Sequence, residues 1–210
     1  MLSGNIRVSG KNANITLVNP NGIVCLSCDF TNANTVTLAA KKLLDDKEHI
    51  DLNAISVYDF TGNGSTITIR NTKSILNDLR LIARNINIHK SNITASNITL
   101  QHHIVNNYDS NGIKGTFSVS SDTKLNTNSF IVEQQHSKFI NNGIISGNSL
   151  LTLAQSDFEN NGKMSGDSLT ANLKSSVSIS GKNGMTFDKW KINDLDQGSL
   201  HNLVYTKAIY

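Results

Sequence analysis

Short runs in which apolar and polar residues alternate recur along the chain. Asn5-Ile6-Arg7-Val8-Ser9, Asn14-Ile15-Thr16-Leu17-Val18, Thr35-Val36-Thr37-Leu38, Ser65-Thr66-Ile67-Thr68-Ile69-Arg70, Asn85-Ile86-Asn87-Ile88, Asn92-Ile93-Thr94 and Asn97-Ile98-Thr99-Leu100 all have period two. That is the signature of a half-buried β-strand. Each run predicts a strand with Ile, Leu or Val turned inward and Asn, Thr or Ser turned to the surface. Small polar turn residues separate the runs.

A repeat lies over this alternation. Phe139-Ile140-Asn141-Asn142-Gly143-Ile144-Ile145-Ser146-Gly147-Asn148-Ser149-Leu150 aligns with Phe158-Glu159-Asn160-Asn161-Gly162-Lys163-Met164-Ser165-Gly166-Asp167-Ser168-Leu169 at an offset of 19 residues. A partial third copy follows at Val177-Ser178-Ile179-Ser180-Gly181-Lys182-Asn183-Gly184. A two-helix repeat needs roughly 33 residues or more. A shorter period holding several strand-like runs suits one coil of a parallel β-helix. The predicted fold is therefore all-β: a right-handed parallel β-helix, a single-stranded solenoid of the pectin-lyase-like kind, with short irregular insertions. Coils about 4.8 Å apart, roughly ten of them, would make a rod on the order of 50 Å long.

Two stretches break the pattern. Lys41 to His49 is charged and poor in strand residues, which predicts an irregular insertion at 41–49. Asp188 to Tyr210 contains Trp190, Tyr205 and Tyr210 and shows no repeat, so 188–210 reads as a tail or as a cap over the last coil.

Composition narrows the function classes. Charged residues make up 17% and the net charge is +3. Basic residues form no stripe with interleaved aromatics, so no nucleic acid is expected as a partner. The densest basic spot, Lys41-Lys42, is followed at once by Asp45, Asp46 and Glu48. Low charge with moderate hydrophobicity does not match the signature of disorder. No apolar run approaches the roughly 20 residues that span a bilayer. Met1-Leu2-Ser3-Gly4-Asn5 has neither the basic start nor the apolar stretch of a secretory signal.

Candidate chemistry is sparse. His102-His103 are adjacent, and neighbouring strand residues point to opposite faces, so the pair cannot converge on one ligand without a bulge. Asp45, Asp46, Asp51 and Asp59 fall in the irregular stretch and its flank, and Asp109 lies near a turn. No convergent set of carboxylates or basic residues emerges for a β-helix lyase or hydrolase. No catalytic, cofactor-binding or metal-binding residues are expected, and no cofactor.

The most specific segment is Asn19-Pro20-Asn21-Gly22-Ile23 followed by Cys25-Leu26-Ser27-Cys28. It holds the only proline and both cysteines of 210 residues. Pro20 fixes the φ that the second residue of a type I or II turn requires. Asn19 can close an Asx turn, Asn21 tolerates positive φ, and Gly22 fits any turn geometry. The prediction is a strand, a rigid exposed turn, a short cysteine-bearing stretch and another strand. Taken alone, such a turn is ordinary.

Val18 to Asn32, with Thr37-Leu38 after it, resembles the second conserved motif of the two-partner secretion domain. That domain opens the filamentous haemagglutinins and large haemolysins of Gram-negative bacteria. The Cys-x-x-Cys after the turn resembles the haemolysin and contact-dependent inhibition branch. Leu2-Ser3-Gly4-Asn5-Ile6-Arg7-Val8-Ser9-Gly10-Lys11 is similar to the coil before the motif, and Leu79-Arg80-Leu81-Ile82-Ala83-Arg84-Asn85-Ile86-Asn87-Ile88 to the later Ile-Ala-Arg coil. The 19-residue repeats resemble the rungs of the haemagglutinin shaft. The resemblance runs to about Met185. It implies the C-terminal part of a two-partner secretion (haemagglutination-activity) domain at 1–112, shaft at 113–187, and the tail at 188–210.

The resemblance implies a non-enzymatic, secreted or cell-surface virulence exoprotein. Such chains are threaded through an outer-membrane β-barrel transporter and recognised by its periplasmic POTRA domains. The matching recognition motif here is Asn19, Pro20, Asn21, Gly22 and Ile23. The family's signal peptide and earlier Asn-Pro-Asn-Leu motif have no counterpart, so the expectation is an internal slice of a longer exoprotein. A product that starts at Met1 would remain cytoplasmic. For Cys25 and Cys28 a zinc pair, a thioredoxin-like redox pair and two unpaired thiols stay open beside the preferred reading, a local disulfide made in an oxidising compartment. Three other functions stay open: a host-cell adhesin whose polar Asn/Thr face binds glycans, the stalk of a contact-dependent growth inhibition toxin, and, ranked last, a polysaccharide lyase.

Overall fold

A computed structural model describes residues 1–40, 66–102, 115–134, 137–147, 150–154, 157–173, 177–179 and 185–194. The strands are β1 (Leu2–Arg7), β2 (Ala13–Val18), β3 (Ile23–Thr31), β4 (Ala33–Ala39), β5 (Thr66–Arg70), β6 (Lys73–Ile82), β7 (Asn85–His89), β8 (Asn92–His102) and β9 (Gly115–Val119). They continue as β10 (Lys124–Gln134), β11 (Ser137–Asn141), β12 (Ile144–Gly147), β13 (Leu150–Ala154), β14 (Asp157–Asn160), β15 (Lys163–Leu173), β16 (Val177–Ile179) and β17 (Met185–Asp194). Among the described residues there is no helix.

The chain alternates between two parallel sheets. One has 8 strands in the order β1-β3-β5-β7-β9-β11-β14-β16. The other has 9, from β2 through β4, β6, β8 and β10 to β12, β13 and β15, with β17 paired on β15. Each strand therefore lies beside the strand one circuit earlier, not beside its neighbour in sequence. The ladders of the long strands in the second sheet are interrupted part-way. β6 and β8 pair from Lys73↔Asn92 to Leu76↔Ala95 and again from Asp78↔Asn97, with Asn77 and Ser96 left out of register. β8 and β10 repeat the gap at Ser96 and Asn128.

Register turns the period-two pattern into inward columns. Ile23, Ile67, Ile86, Phe117 and Phe139 succeed one another rung by rung. In the second sheet Val36, Leu79, Ile98 and Phe130 do the same, as do Ile93, Leu125, Ile145 and Met164. The described side chains of these columns are buried in one continuous core, and burying apolar area on this scale is the main favourable term for the fold. Outward residues hydrogen-bond between rungs: Ser118 Oγ to Asn87 Oδ1 at 2.7 Å, Ser146 Oγ to Asn126 Oδ1 at 2.6 Å and Asn97 Nδ2 to Asp78 Oδ1 at 2.6 Å.

Several expectations change. The 19-residue offset holds for Phe139↔Phe158 and Ile144↔Lys163, but Leu150 pairs with Ser168, and it is Leu151 that meets Leu169. One residue fewer separates β15's two paired segments, so the register slips within the copy. The cysteine-bearing stretch is itself strand, lying within β3. The start of the tail, to Asp194, belongs to β17, which pairs with β15. Among the described residues the first sheet has 8 strands. The insertion at 41–49, the carboxylates Asp45, Asp46, Asp51, Asp59 and Asp109, His103, and the tail beyond Asp194 lie outside the described residues. The ladders pass without a break from β7 to β9 across the 112/113 boundary.

Candidate functional site

Asn19 to Gly22 links β2 in one sheet to β3 in the other. Gly22 N donates to Asn19 O at 3.0 Å, closing a four-residue turn around Pro20 and Asn21. Asn21 N donates to Asn19 Oδ1 at 3.0 Å, the Asx bond that the sequence favoured. Positive φ falls on Gly22, at 101°, and not on Asn21. That selects the type I form over type II, which would need the left-handed residue at Asn21. Asn19 N also donates to Ala39 O at 2.9 Å, so the ladder of β2 and β4 continues into the turn. Asn19, Pro20 and Asn21 are exposed, whereas Ile23 is buried and pairs with Ile67. The motif thus offers three exposed side chains on a base fixed at both ends.

The cysteines sit at the next bend, at the far end of the segment that leaves the turn. Cys25 and Cys28 are joined in a disulfide with Cα atoms 5.5 Å apart, and both are buried. Between them Ser27 has φ 53°. β1 skips Ser27, pairing Ser3 with Leu26 and Gly4 with Cys28. The disulfide therefore spans a left-handed bend and ties two inward positions on either side of it.

The same bend recurs in later rungs. Leu26 is in register with Arg70, and Arg70 with His89. The residues that follow, Ser27, Asn71 and Lys90, have φ of 53°, 55° and 47°. One step further come Cys28, Thr72, Ser91, Thr123, Gly143 and Gly162, a column whose members are all buried. On the strand side of the bend the column runs Leu2, Cys25, Ile69, Ile88, Val119, Asn141, Asn160.

Chemistry at this bend changes along the stack. The first rung uses the disulfide. In the middle rungs hydroxyls serve: Ser91 Oγ donates to His89 O at 2.7 Å, Thr72 N donates to Ser91 Oγ at 3.2 Å, and Ser91 N to Thr123 Oγ1 at 3.4 Å. In the last rungs asparagine serves: Gly143 N donates to Asn141 Oδ1 at 3.0 Å, and Asn141 Nδ2 to Asn160 Oδ1 at 2.7 Å. The expectation that Asn, Thr and Ser face outward fails here. A bend frees backbone N–H groups inside the core, and buried polar groups are kept only where they are paired.

These inward polar residues are what sequence reasoning missed. Their signal was present, since Asn141 lies two residues from the inward Phe139. Among the described residues no group of three His, Cys, Asp or Glu could hold a metal ion. The turn and the disulfide stand at opposite ends of one short strand segment. No protein-family model matches the chain, and no curated protein or solved structure matches it.

Proposed function

We propose that this chain belongs to a secreted exoprotein of the filamentous haemagglutinin/haemolysin type, exported by two-partner secretion, and that it has no enzymatic activity. The two parallel sheets are then faces of one right-handed parallel β-helix, whose third face begins at the bends after Asn77, Ser96 and Asn128. Asn19, Pro20 and Asn21 are the side chains recognised by the periplasmic POTRA domains of an outer-membrane β-barrel transporter.

The observation that carries this reading is the exposed, doubly braced Asn19–Gly22 turn. Its residues are not needed for burial, yet its shape is held by Asn19 Oδ1 and by Ala39 O. A preformed turn loses little entropy on capture. A parallel stack in which the described strands pair with those of neighbouring rungs also suits folding from one end, since such pairings form soon after each rung emerges.

The test is a pull-down with the POTRA domains of such transporters. Asn19→Ala and Asn21→Ala should abolish capture while leaving the thermal midpoint within a few degrees of wild type, as expected of an exposed site. Capture unchanged by both substitutions would remove the turn from recognition. Binding on a glycan array without any barrel partner would favour the adhesin, and products released from uronate polymers would overturn the non-enzymatic reading.

A further inference from the structure

Beyond the turn, the bend that follows the first sheet carries a second feature on its outer side. The residues leaving this bend form one outward column: Lys73, Asn92, Lys124, Ile144 and Lys163 in register. Lys73 and Lys124 are both exposed and stand two rungs apart, about 10 Å along the stack. Asn71, Lys73, Lys90, Asn92, Asp122 and Lys124 line one open groove of 390 Å³. Among the described residues neither Lys73 nor Lys124 has an ion-pair partner.

Asp122 is the groove's only carboxylate among these, and it is already occupied. Its Oδ1 accepts from Lys90 N at 3.0 Å and from Ser120 Oγ. These bonds, the Ser120 hydroxyl first, hold its carboxyl below the ordinary aspartate value, so it is ionised at neutral pH. Three ammonium groups against one carboxylate leave the groove doubly positive. Like charges brought onto neighbouring rungs repel unless an anion sits between them.

We propose that this groove binds a phosphate- or sulfate-type oxyanion, held by the ammonium groups of Lys73, Lys90 and Lys124 with the side-chain amides of Asn71 and Asn92 as further donors. Lysine acts on such groups as a mobile point charge, and amide N–H groups fix the oxygens. The groove is larger than the oxyanion, so it also admits an ester in which a sugar carries the charged group. This proposal is independent of the turn's role in secretion, and either can fail alone.

The test is an amide chemical-shift titration of the full chain with inorganic phosphate, inorganic sulfate and glucose 6-phosphate. Saturable shifts at Lys90 and Asp122 are expected. Lys73→Gln with Lys124→Gln should weaken binding by about tenfold or more, as removing two charged donors implies, without changing the thermal midpoint. Asp122→Asn keeps an acceptor for Lys90 N and removes the opposing charge, so it should tighten binding. Tighter binding of glucose 6-phosphate assigns a sugar ester as the ligand; equal binding assigns the free anion. Shifts that never saturate, that chloride reproduces, or that survive the double substitution would overturn the proposal.

Discussion

Asn141 and Asn160 occupy the same inward column one rung apart, and the side-chain amide of the first donates to the side-chain oxygen of the second at 2.7 Å. Both are fully buried. Their other bonds return to the bend: Gly143 N donates to Asn141 Oδ1, and Asn160 Nδ2 lies 3.4 Å from Gly162 O. Their column holds Ile88 and Val119 on earlier rungs. An isosteric apolar side chain would therefore fit the space but leave backbone groups unpaired.

Asn141→Leu should lower stability by about 1–3 kcal/mol, the usual cost of orphaning a buried donor. Adding Asn160→Leu should cost less than the sum of the two single changes, because each single change leaves the other amide without its partner. A double-mutant cycle by urea denaturation measures that coupling. Strict additivity would refute the ladder as a cooperative unit.

Gly143 defines a second demand of the same bend. A Cβ there would lie 2.6 Å from Ser120 O and 2.6 Å from Thr123 O, both backbone atoms of the preceding circuit. Side-chain rearrangement cannot relieve that overlap. Gly143→Ala should cost about 2–3 kcal/mol or more, in the range for overpacking a tight interior. Gly10→Ala meets nothing within 4 Å and has φ 95°, so it should cost only the strain of a left-handed alanine, about 1–2 kcal/mol. Thermal unfolding of the two variants side by side checks the order.

How much of this was legible in the sequence differs by residue. Ile67 and Ile69, or Ile86 and Ile88, announce their face by period two, because nothing else in a strand selects alternate positions. Asn141 obeys the same period with Phe139, but its polarity argues for the surface, and only the freed N–H of Gly143 explains why it turns inward. The hydroxyl column at Thr72, Ser91 and Thr123 was hidden for the same reason. The pairing of Thr35 with Asp78 is not written locally at all: no residue pattern says how far the chain travels before it returns to the next rung. The Asn19 turn was the reverse case, since Pro20, Asn21 and Gly22 specify their backbone almost alone. Only the choice between type I and type II waited for the structure.

Removing the disulfide should loosen one bend and leave the fold intact. The loop it closes is short, so chain entropy credits it with about 2 kcal/mol. Cys25→Ala with Cys28→Ala should lose about that much and should speed amide exchange at Ser27 and Cys28. Exchange in β8 and β10, whose bends rely on hydroxyl and ladder bonds, should be unchanged. A global increase in exchange would mean that the first bend nucleates the whole stack.

The ion pair of Lys138 with Glu159 gives stability a pH dependence whose direction is fixed. The two residues lie diagonally on β11 and β14, where Lys138 is in register with Asp157 and Ile140 with Glu159. The Lys138 ammonium first, and then the Asn161 side-chain amide at 2.7 Å, hold the Glu159 carboxyl below its ordinary value. A carboxyl whose folded value is depressed binds its proton more readily in the unfolded chain. Its contribution is therefore complete above the unfolded value and is lost as the pH falls through the folded one. Glu159→Gln should remove that contribution at neutral pH and flatten the acid side of the stability curve. The loss should be small, because both side chains are partly exposed to solvent. Urea midpoints for wild type and variant, measured from neutral pH into the acid range, should converge at the acid end. Curves that stay parallel throughout would show that Glu159 carries no net interaction in the folded chain.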